Sequence, residues 1–572
     1  QWFLTNYLHL KGQIAITKEF TKKERFIDPL SSNTTAKIQK EKELEGDLYL
    51  TKGESTNWDA QVGVYVSKSF GAHALNASAV VNATSRESES TSSHYRGFPS
   101  GEYHSPNYAA EIKDKPSKSQ STSRLAGFLF LANYTWNDIY LADVSVRFDG
   151  SSEFGLDQKW APFWSFGAGV NLHNYAFLHG SKVINRMKFR ASYGQTGKVN
   201  FPSYSARTVY RTFDRWYIAG FGVGLKALGN RDLKWETTNK LNVGTDMEFW
   251  NSRISLIFDY YYNKTVDLIT DVTLPGSAGF SSYKSNLGET LNKGFDIQFR
   301  FDVMKNKDWN VALWGNLNHN RNEILKISDA LKAYNSQVDD YYELAKEDQT
   351  LNSSWVKANK TYSDFIKPIM KYEEGASLTA IYGVRSLGID PSNGKELYLY
   401  RNGQASHKWK ATEEIVLGDS EPEASGSFGL NVTYKNFSLF ASFGYEWGKQ
   451  TYNETLIMNV ENADIQGSNV DKRVLTQRWE KPGDIAPLKD IKDMNSVTLP
   501  TSRFVQDENV LSLDALTLSY DFDPLWLRKI YLKTLRLEVS TSELFRLSSI
   551  KQERGTSYPF ARTVNFSLRA TF

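Results

Sequence analysis

The chain has 572 residues with 68 Lys and Arg against 65 Asp and Glu, a net charge of +3, so it carries no field suited to nucleic acid. It contains no Cys, which excludes disulfide frameworks, thiolate metal sites and Cys nucleophiles. Mean hydropathy is −0.49, and no apolar run approaches the roughly 20 residues of a spanning helix, so a helical membrane protein is excluded as well.

The aromatics, 31 Tyr, 33 Phe and 15 Trp, suit strands and interfacial girdles. A chain this long exceeds one ordinary core unless it forms one large barrel. The first alternating run, Leu4 to Lys18, sets Leu8, Leu10, Ile14 and Ile16 against His9, Lys11, Gln13 and Thr17. After a polar stretch to about Gly53, Asp59 to Ser69 and Ala72 to Thr84 flank Phe70-Gly71 and predict a hairpin. Arg124 to Trp136 and Tyr140 to Phe148 flank Asn137-Asp138 in the same way. In the second of these, Tyr140, Ala142, Val144, Val146 and Phe148 oppose Asp143, Ser145, Arg147 and Asp149. Trp164 to Leu172 and Met187 to Tyr193 form a further pair.

Between Trp235 and Thr270, Leu241, Val243, Met247 and Phe249 oppose Asn242, Asp246 and Glu248; the chain turns at Asn251-Ser252, and Ile254, Leu256, Phe258, Tyr260 and Tyr262 return. Phe295, Ile297, Phe299, Phe301 and Val303 oppose Asp296, Gln298, Arg300 and Asp302, and beyond Asn306-Lys307 a run from Trp309 sets Leu313 and Leu317 against Asn316, Asn318 and Asn320. Such faces are too polar for the dry core of a sandwich and fit a wide polar lumen. Phe428 to Tyr434, Phe437 to Trp447, Val510 to Asp521, Leu535 to Thr541 and the last ten residues complete about sixteen strands, each near or above the roughly 9 to 11 residues that cross a bilayer at a tilt. The last run, Thr563 to Phe572, alternates throughout, with Val564, Phe566, Leu568 and Phe572 on its apolar face. It reads as a barrel-closing strand, with Leu535 to Thr541 as one neighbour.

Short turns near Gly71, Asn137, Asn174, Asn251, Lys307 and Asn436 alternate with long polar links at 19–53, 86–122, 197–233, 325–422 and 453–503. A compact link near Gly155 and a medium one at Asp523 to Lys533 keep the parity. Outer-membrane barrels combine short periplasmic turns with long extracellular loops, and this parity places both ends of the chain on the periplasmic side.

No catalytic constellation appears: the chain lacks HExxH, GxSxG and a P-loop, so neither an enzyme nor a cofactor is expected. His94 and His104 near Glu102 read as solvated loop residues rather than metal ligands, as do the pairs Asp339-Asp340 and Glu373-Glu374. Asn33-Thr34-Thr35 fits a glycosylation sequon of no use in a bacterial outer membrane. Tyr210, Trp216, Tyr217, Tyr341, Tyr342 and Trp355 lie in the long outer links, where they either stack on a sugar ring or peptide side chain or pack the loops.

Several stretches resemble the SusC-like TonB-dependent transporters of the outer membrane: YLADVSVRFDGSSEFG from Tyr140, LKWETTNKLNVGTDMEFWNSRISLIFDYYYNKTVDLI from Leu233, and NKGFDIQFRFDVMKNKDWNVALWGNLNHNRNEI from Asn292. YGVRSLGIDPSNGKELYLY from Tyr382, NVDKRVLTQRWEKPGD from Asn469, SRFVQDENVLSLDALTLSY from Ser502 and YPFARTVNFSLRATF from Tyr558 continue the family's order. The resemblance implies an all-β transmembrane antiparallel barrel of about 22 strands filled by an N-terminal plug. Residues 1–572 correspond to its C-terminal portion, with the plug and the first strands expected outside this chain, in an N-terminal fragment that completes the barrel. It further implies a Gram-negative outer membrane, a SusD-like surface lipoprotein that captures oligosaccharides or oligopeptides, and energy from the TonB complex through the plug. A passive porin-like channel of about sixteen strands is the structural alternative.

Overall fold

A computed structural model of the chain describes all residues except 32–44, 156–157, 199–203, 218–219, 228, 274–281, 287, 351–365, 464–469, 494–497 and 552–561. Side chains are also left undescribed at 211–217, 220–221, 270–273, 282–283, 330 and 343–350.

One antiparallel sheet of eighteen strands carries the fold; two of its members are the short pieces Trp2–Phe3 and Arg546–Ser548. The long strands begin with β1 (Leu8–Ile27), β2 (Asp47–Phe70), β3 (His73–Arg96), β4 (Glu111–Trp136) and β5 (Tyr140–Ser151). They continue with β6 (Trp160–Asn171), β7 (Ile184–Lys198), β8 (Glu236–Phe249), β9 (Ile254–Val266), β10 (Glu289–Lys305) and β11 (Trp309–Lys326). The last five are β12 (Ala424–Tyr434), β13 (Phe437–Tyr452), β14 (Val505–Asp521), β15 (Thr534–Ser542) and β16 (Thr563–Thr571). Each pairs with the next in chain order, from β1 with β2 to β15 with β16.

The tight turns follow from residues that tolerate the left-handed region. Gly71 has φ +58°, and Asn137 and Asp138 have φ 53° and 55°, the backbone whose twist matches that of the flanking strands. Register then collects the apolar residues on one face, because cross-strand partners share a side. Phe299 pairs with Gly315, Gly315 with Phe428, and Phe428 with Phe443, whose rings stack at 5.2 Å. A Cβ on Gly315 would stand 2.7 Å from the Phe299 ring, so glycine lets this aromatic row close across β11. The row from Trp309 to Leu317 rises about 20 Å along a barrel axis at the usual tilt, the order of the roughly 25 Å apolar band of membrane barrels. Phe299, Leu313 and Phe428 on it are each 40% exposed or more, as a face wetted by lipid requires.

Two differences from the sequence reading have physical causes. The links at 19–53 and 86–122 are in large part strand: β2 and β3 have 24 residues each and β4 has 26, at least twice the span of a bilayer. Beyond the band both faces meet water, so the ladder continues through Ser, Thr, Lys and Glu without an apolar period to announce it. The link at 325–422 is a folded unit. Helix α1 (Asp329–Thr350) starts beneath Ser328, whose Oγ accepts from Leu331 N–H at 3.3 Å, and a sheet pairs Ala380–Gly383 with Ile415–Asp419. A second small sheet joins Arg385–Ile389, Glu396–Leu399 and Ala405–Ser406. Closure bears on the sixteen-stranded alternative. Among the described residues β16 pairs only with β15, and β1 only with β2 and Trp2–Phe3, so β1 and β16 do not meet and no closed barrel of sixteen strands forms.

The dry cores lie in the loops at the end opposite the tight turns. Val338, Tyr342, Val384, Tyr398, Tyr400, Trp409, Ala411 and Leu499 form one, and Ile366, Ile381, Tyr452, Ile457 and Phe504 a second. Links 327–423 and 453–504 thereby pack as one cap.

Candidate functional site

The polar face of the sheet carries a belt of fixed charges and amides. Gly244 on β8 leaves room for it, since a Cβ there would stand 2.5 Å from Asp259 and 2.8 Å from the Arg190 guanidinium. Through that gap Arg190 on β7 donates to Asp259 on β9 at 2.6 Å, and it reaches Asp246 on β8 at 3.2 Å. Asn318 on β11 donates to Asp296 on β10 at 2.5 Å. Arg147 holds Asp149 on β5, and Arg300 holds Asp302 on β10. Each of these three arginines is matched by a carboxylate, so this part of the face carries paired charges of both signs.

The belt runs upward into the cap. Tyr261 donates to Asn320 at 3.0 Å; Asn320 and Asn322 donate to the two carboxylate oxygens of Glu421 at 2.8 and 2.7 Å. Asn322 also reaches Thr379, which donates to Asp419 at 2.6 Å. This chain of bonds fastens the wall to the first sheet of the cap.

Two buried ion clusters hold the cap together. Arg503 lies 2.7 Å from both Glu396 and Glu461, and Thr501 donates to Glu396 at 2.7 Å. Burial alone would raise the Glu396 carboxyl, but the Arg503 charge and these hydrogen bonds hold it below the usual carboxylate range. In the second cluster Lys371 stands 2.5 Å from Asp339 on α1 and 2.6 Å from Glu414. Glu414 is fully buried, and its Oε1 has no hydrogen-bond partner among the described residues. Burial therefore pushes its carboxyl up to about 7 against the pull of Lys371.

The aromatics expected to meet a ligand fall on two loop elements. Tyr210 is exposed on the hairpin of Val209–Tyr217 and Gly220–Ala227, where Trp216 and Tyr217 pair with Phe221 and Gly220, although the side chains of these last two lie outside the described residues. Tyr341 on α1 is half-buried, its ring edge-on to Tyr342 at 5.8 Å. Tyr342 is fully buried in the first cap core, donating to Lys367 O at 2.6 Å and accepting from Ile369 N–H at 3.1 Å. It packs the loops rather than facing a ligand. Trp355 lies outside the described residues, as does Asn33-Thr34-Thr35.

Of the residues expected to close a barrel, Val564, Phe566 and Leu568 pair with Thr541, Val539 and Leu537 of the neighbouring strand, and Phe572 follows the strand. All four are more than half exposed. His94 is on β3, not in a loop, and is buried between Asp47 at 2.8 Å and Asp114 at 3.1 Å. His104 is exposed, 4.0 Å from Glu24. Asp339 and Glu373 have cationic partners in Lys371 and Arg401. Glu421, Glu396 and Arg503 went unnoticed in the sequence, where nothing in their local spacing links them to partners about a hundred residues away.

The family described as TonB dependent receptor-like, beta-barrel matches residues 21–455. TonB-dependent receptor P3 of Formosa agariphila is 28% identical across 87% of this chain and 49% of its own length. TonB-dependent receptor SusC of Bacteroides thetaiotaomicron is 25% identical across 77% of this chain and 42% of its own. The chain thus spans about half the length of the curated relatives it matches. Among solved structures, that of the RagAB peptide transporter superposes with a TM-score of 0.79 at 22% identity, over 96% of this chain and 57% of the other, which establishes a shared fold. The chain belongs to the TonB dependent receptor-like β-barrel family of the outer membrane, and within it is SusC-like.

Proposed function

We propose that this chain forms the barrel wall and outer loops of an active importer that takes up oligosaccharides or oligopeptides captured with a SusD-like surface lipoprotein. The observation that carries this reading is the joint between wall and cap, in which Glu421 bonds Asn320 and Asn322 at the mouth of a polar face. Loops fixed in this way offer a preformed surface to a lid and a ligand, whereas a passive pore needs no folded cap. Tyr210, Trp216, Tyr217, Tyr341 and Trp355 are the proposed ligand contacts, with Tyr342 as internal support.

Among the described residues β16 has one unpaired edge and that of β1 meets only Trp2–Phe3, which supports a further part of the proposal: strands of an N-terminal fragment bond there and complete the barrel around a plug, through which TonB supplies energy. In this arrangement residues 1–572 are the C-terminal portion of the barrel, the C-terminus is periplasmic, and the protein carries out no chemical conversion. The likeness to the RagAB peptide transporter favours peptides among the candidate cargoes, and that to SusC favours the family mechanism. Mass spectrometry of the intact complex extracted from outer membranes tests the assembly: a lipoprotein and a plug-bearing segment are expected. Uptake of labelled oligopeptides and oligosaccharides by cells with and without the protein, before and after dissipation of the proton-motive force, tests the activity. Uptake that persists without the force assigns the chain to passive diffusion instead.

A further inference from the structure

Above Leu317 the wall opens. β11 and β12 stay paired from Trp309 and Tyr434 to Asn318 and Ser425 and then part, while β13 runs on beside β14 to Tyr452. The segment from Asp419 to Glu423 crosses the gap, held by Glu421 on Asn320 and Asn322 and by Asp419 N–H donating to Gln450 at 3.0 Å. A cavity of about 880 Å³ occupies this notch, a size that takes a small ligand.

The notch faces the outside of the barrel. Leu317, Gly426 and Tyr445 are cross-strand partners on the apolar face, Ala424 and Trp447 are the next pair up, and Phe295 pairs with His319 on that same face. The bonded bar of Asn320, Asn322 and Glu421 lies toward the polar face. The mouth therefore sits at the upper rim of the apolar band, where the acyl region gives way to head groups. Trp447 is 63% exposed there. Among the described residues its indole N–H, the Arg321 guanidinium and the Glu423 carboxylate, all lining the notch, have no partner.

An exposed indole face beside an uncommitted guanidinium, a carboxylate and the Gln450 amide has the chemistry for a sugar ring: C–H faces stack on the aromatic, and hydroxyls both donate and accept. Carboxylates at Glu423, Asp507 and Asp419 oppose a bare phosphate, and an acyl chain would leave all these groups unsatisfied. Below the notch the apolar row of Leu317 and Leu313 continues without a step, so a ligand with sugars above and acyl chains below fits both parts. We propose that this notch binds the saccharide head group of an outer-leaflet glycolipid, with Trp447 stacked on a sugar and Arg321 and Glu423 bonded to its hydroxyls. The proposal rests on the outer-membrane placement of the apolar face.

Detergent-dependent extraction from isolated outer membranes is established first and tests that placement separately. The extracted protein, with whatever accompanies it, is then titrated with purified lipopolysaccharide bearing core sugars, with lipid A stripped of sugars, and with the free core oligosaccharide, and bound copies are counted by native mass spectrometry. Retention of the sugar-bearing lipid is expected to fall about tenfold in Trp447→Ala, as for a central contact residue. It should hold in Trp160→Ala, an upper-rim tryptophan on β6 that is also more than half exposed. Equal retention by the two variants overturns the proposal, as does equal binding of stripped lipid A. Free oligosaccharide binding as tightly as the glycolipid overturns the lipid as occupant. If Trp447→Ala does not assemble, oxidative footprinting of the unaltered protein decides: lipopolysaccharide must protect the Trp447 indole, and lack of protection ends the idea.

Discussion

Arg503 donates to Glu396 at 2.7 Å across 107 residues of sequence, joining the two links of the cap where both side chains are less than a tenth exposed. The same guanidinium nitrogen reaches Glu461 at 2.7 Å, so one cation is shared by two buried carboxylates. The Arg503→Met substitution keeps the volume and removes the charge. It is expected to destabilise the cap by about 3 to 5 kcal/mol, the usual penalty for an uncompensated buried ion. Limited proteolysis should then cut within 385–406 and 453–463 while the strands stay protected. An unchanged digestion pattern would show that the cluster is dispensable.

The carboxyl of Glu414 makes the cap sensitive to pH. Its value is raised from the ordinary 4.5 to about 7, so the folded cap binds this proton more tightly than the unfolded loop does. The stabilisation is complete below about pH 4.5 and disappears as pH rises through 7, a loss of about 3 kcal/mol. Amide protection at Ala411 to Glu414 and along α1, taken relative to the intrinsic exchange rate at each pH, should fall between about pH 5 and about pH 8, and Glu414→Gln should flatten that change. Protection that rises with pH would reverse the assignment.

Arg190 and Asp259 are coupled through the gap left by Gly244. Arg190→Ala leaves Asp259 without its cation and Asp246 with only Arg186, 3.5 Å away, both carboxylates being largely shielded, and should cost about 1 to 3 kcal/mol. Asp259→Asn in the same chain should recover part of that loss. A double-mutant cycle by urea unfolding in lipid vesicles reads the coupling, and strict additivity would mean that the two residues act independently.

On β16, Phe566 pairs with Val539 on the apolar face. Phe566→Arg should cost about 2 to 4 kcal/mol near mid-membrane, and Ser567→Arg on the opposite face much less. Yields of heat-modifiable barrel after refolding into vesicles compare the two. Equal yields would place the membrane on the other side of the strand.

What local sequence determines here is the part in which each face of a strand meets a different solvent. From Trp309 to Leu317 alternate residues touch lipid and lumen, so selection for both writes a period of two into the chain, and Asn137-Asp138 or Gly71 marks where it reverses. Above the band that contrast disappears. Thr51 and Ser92, or Ser90 and Ser119, still bond across the ladder at 3.0 and 2.8 Å, yet both faces are wet and no period remains to read. The cap is hidden for another reason. Tyr342 and Asp339 lie in a polar stretch whose burial comes from Trp409, Leu499 and Lys371, all distant in the chain. Only the tertiary structure decides that Tyr342 packs inside, that Arg503 serves two loops, that β11 and β12 part above Leu317, and that β16 keeps an edge unpaired among the described residues. Each depends on contacts across many tens of residues, whose partners the strand period cannot name.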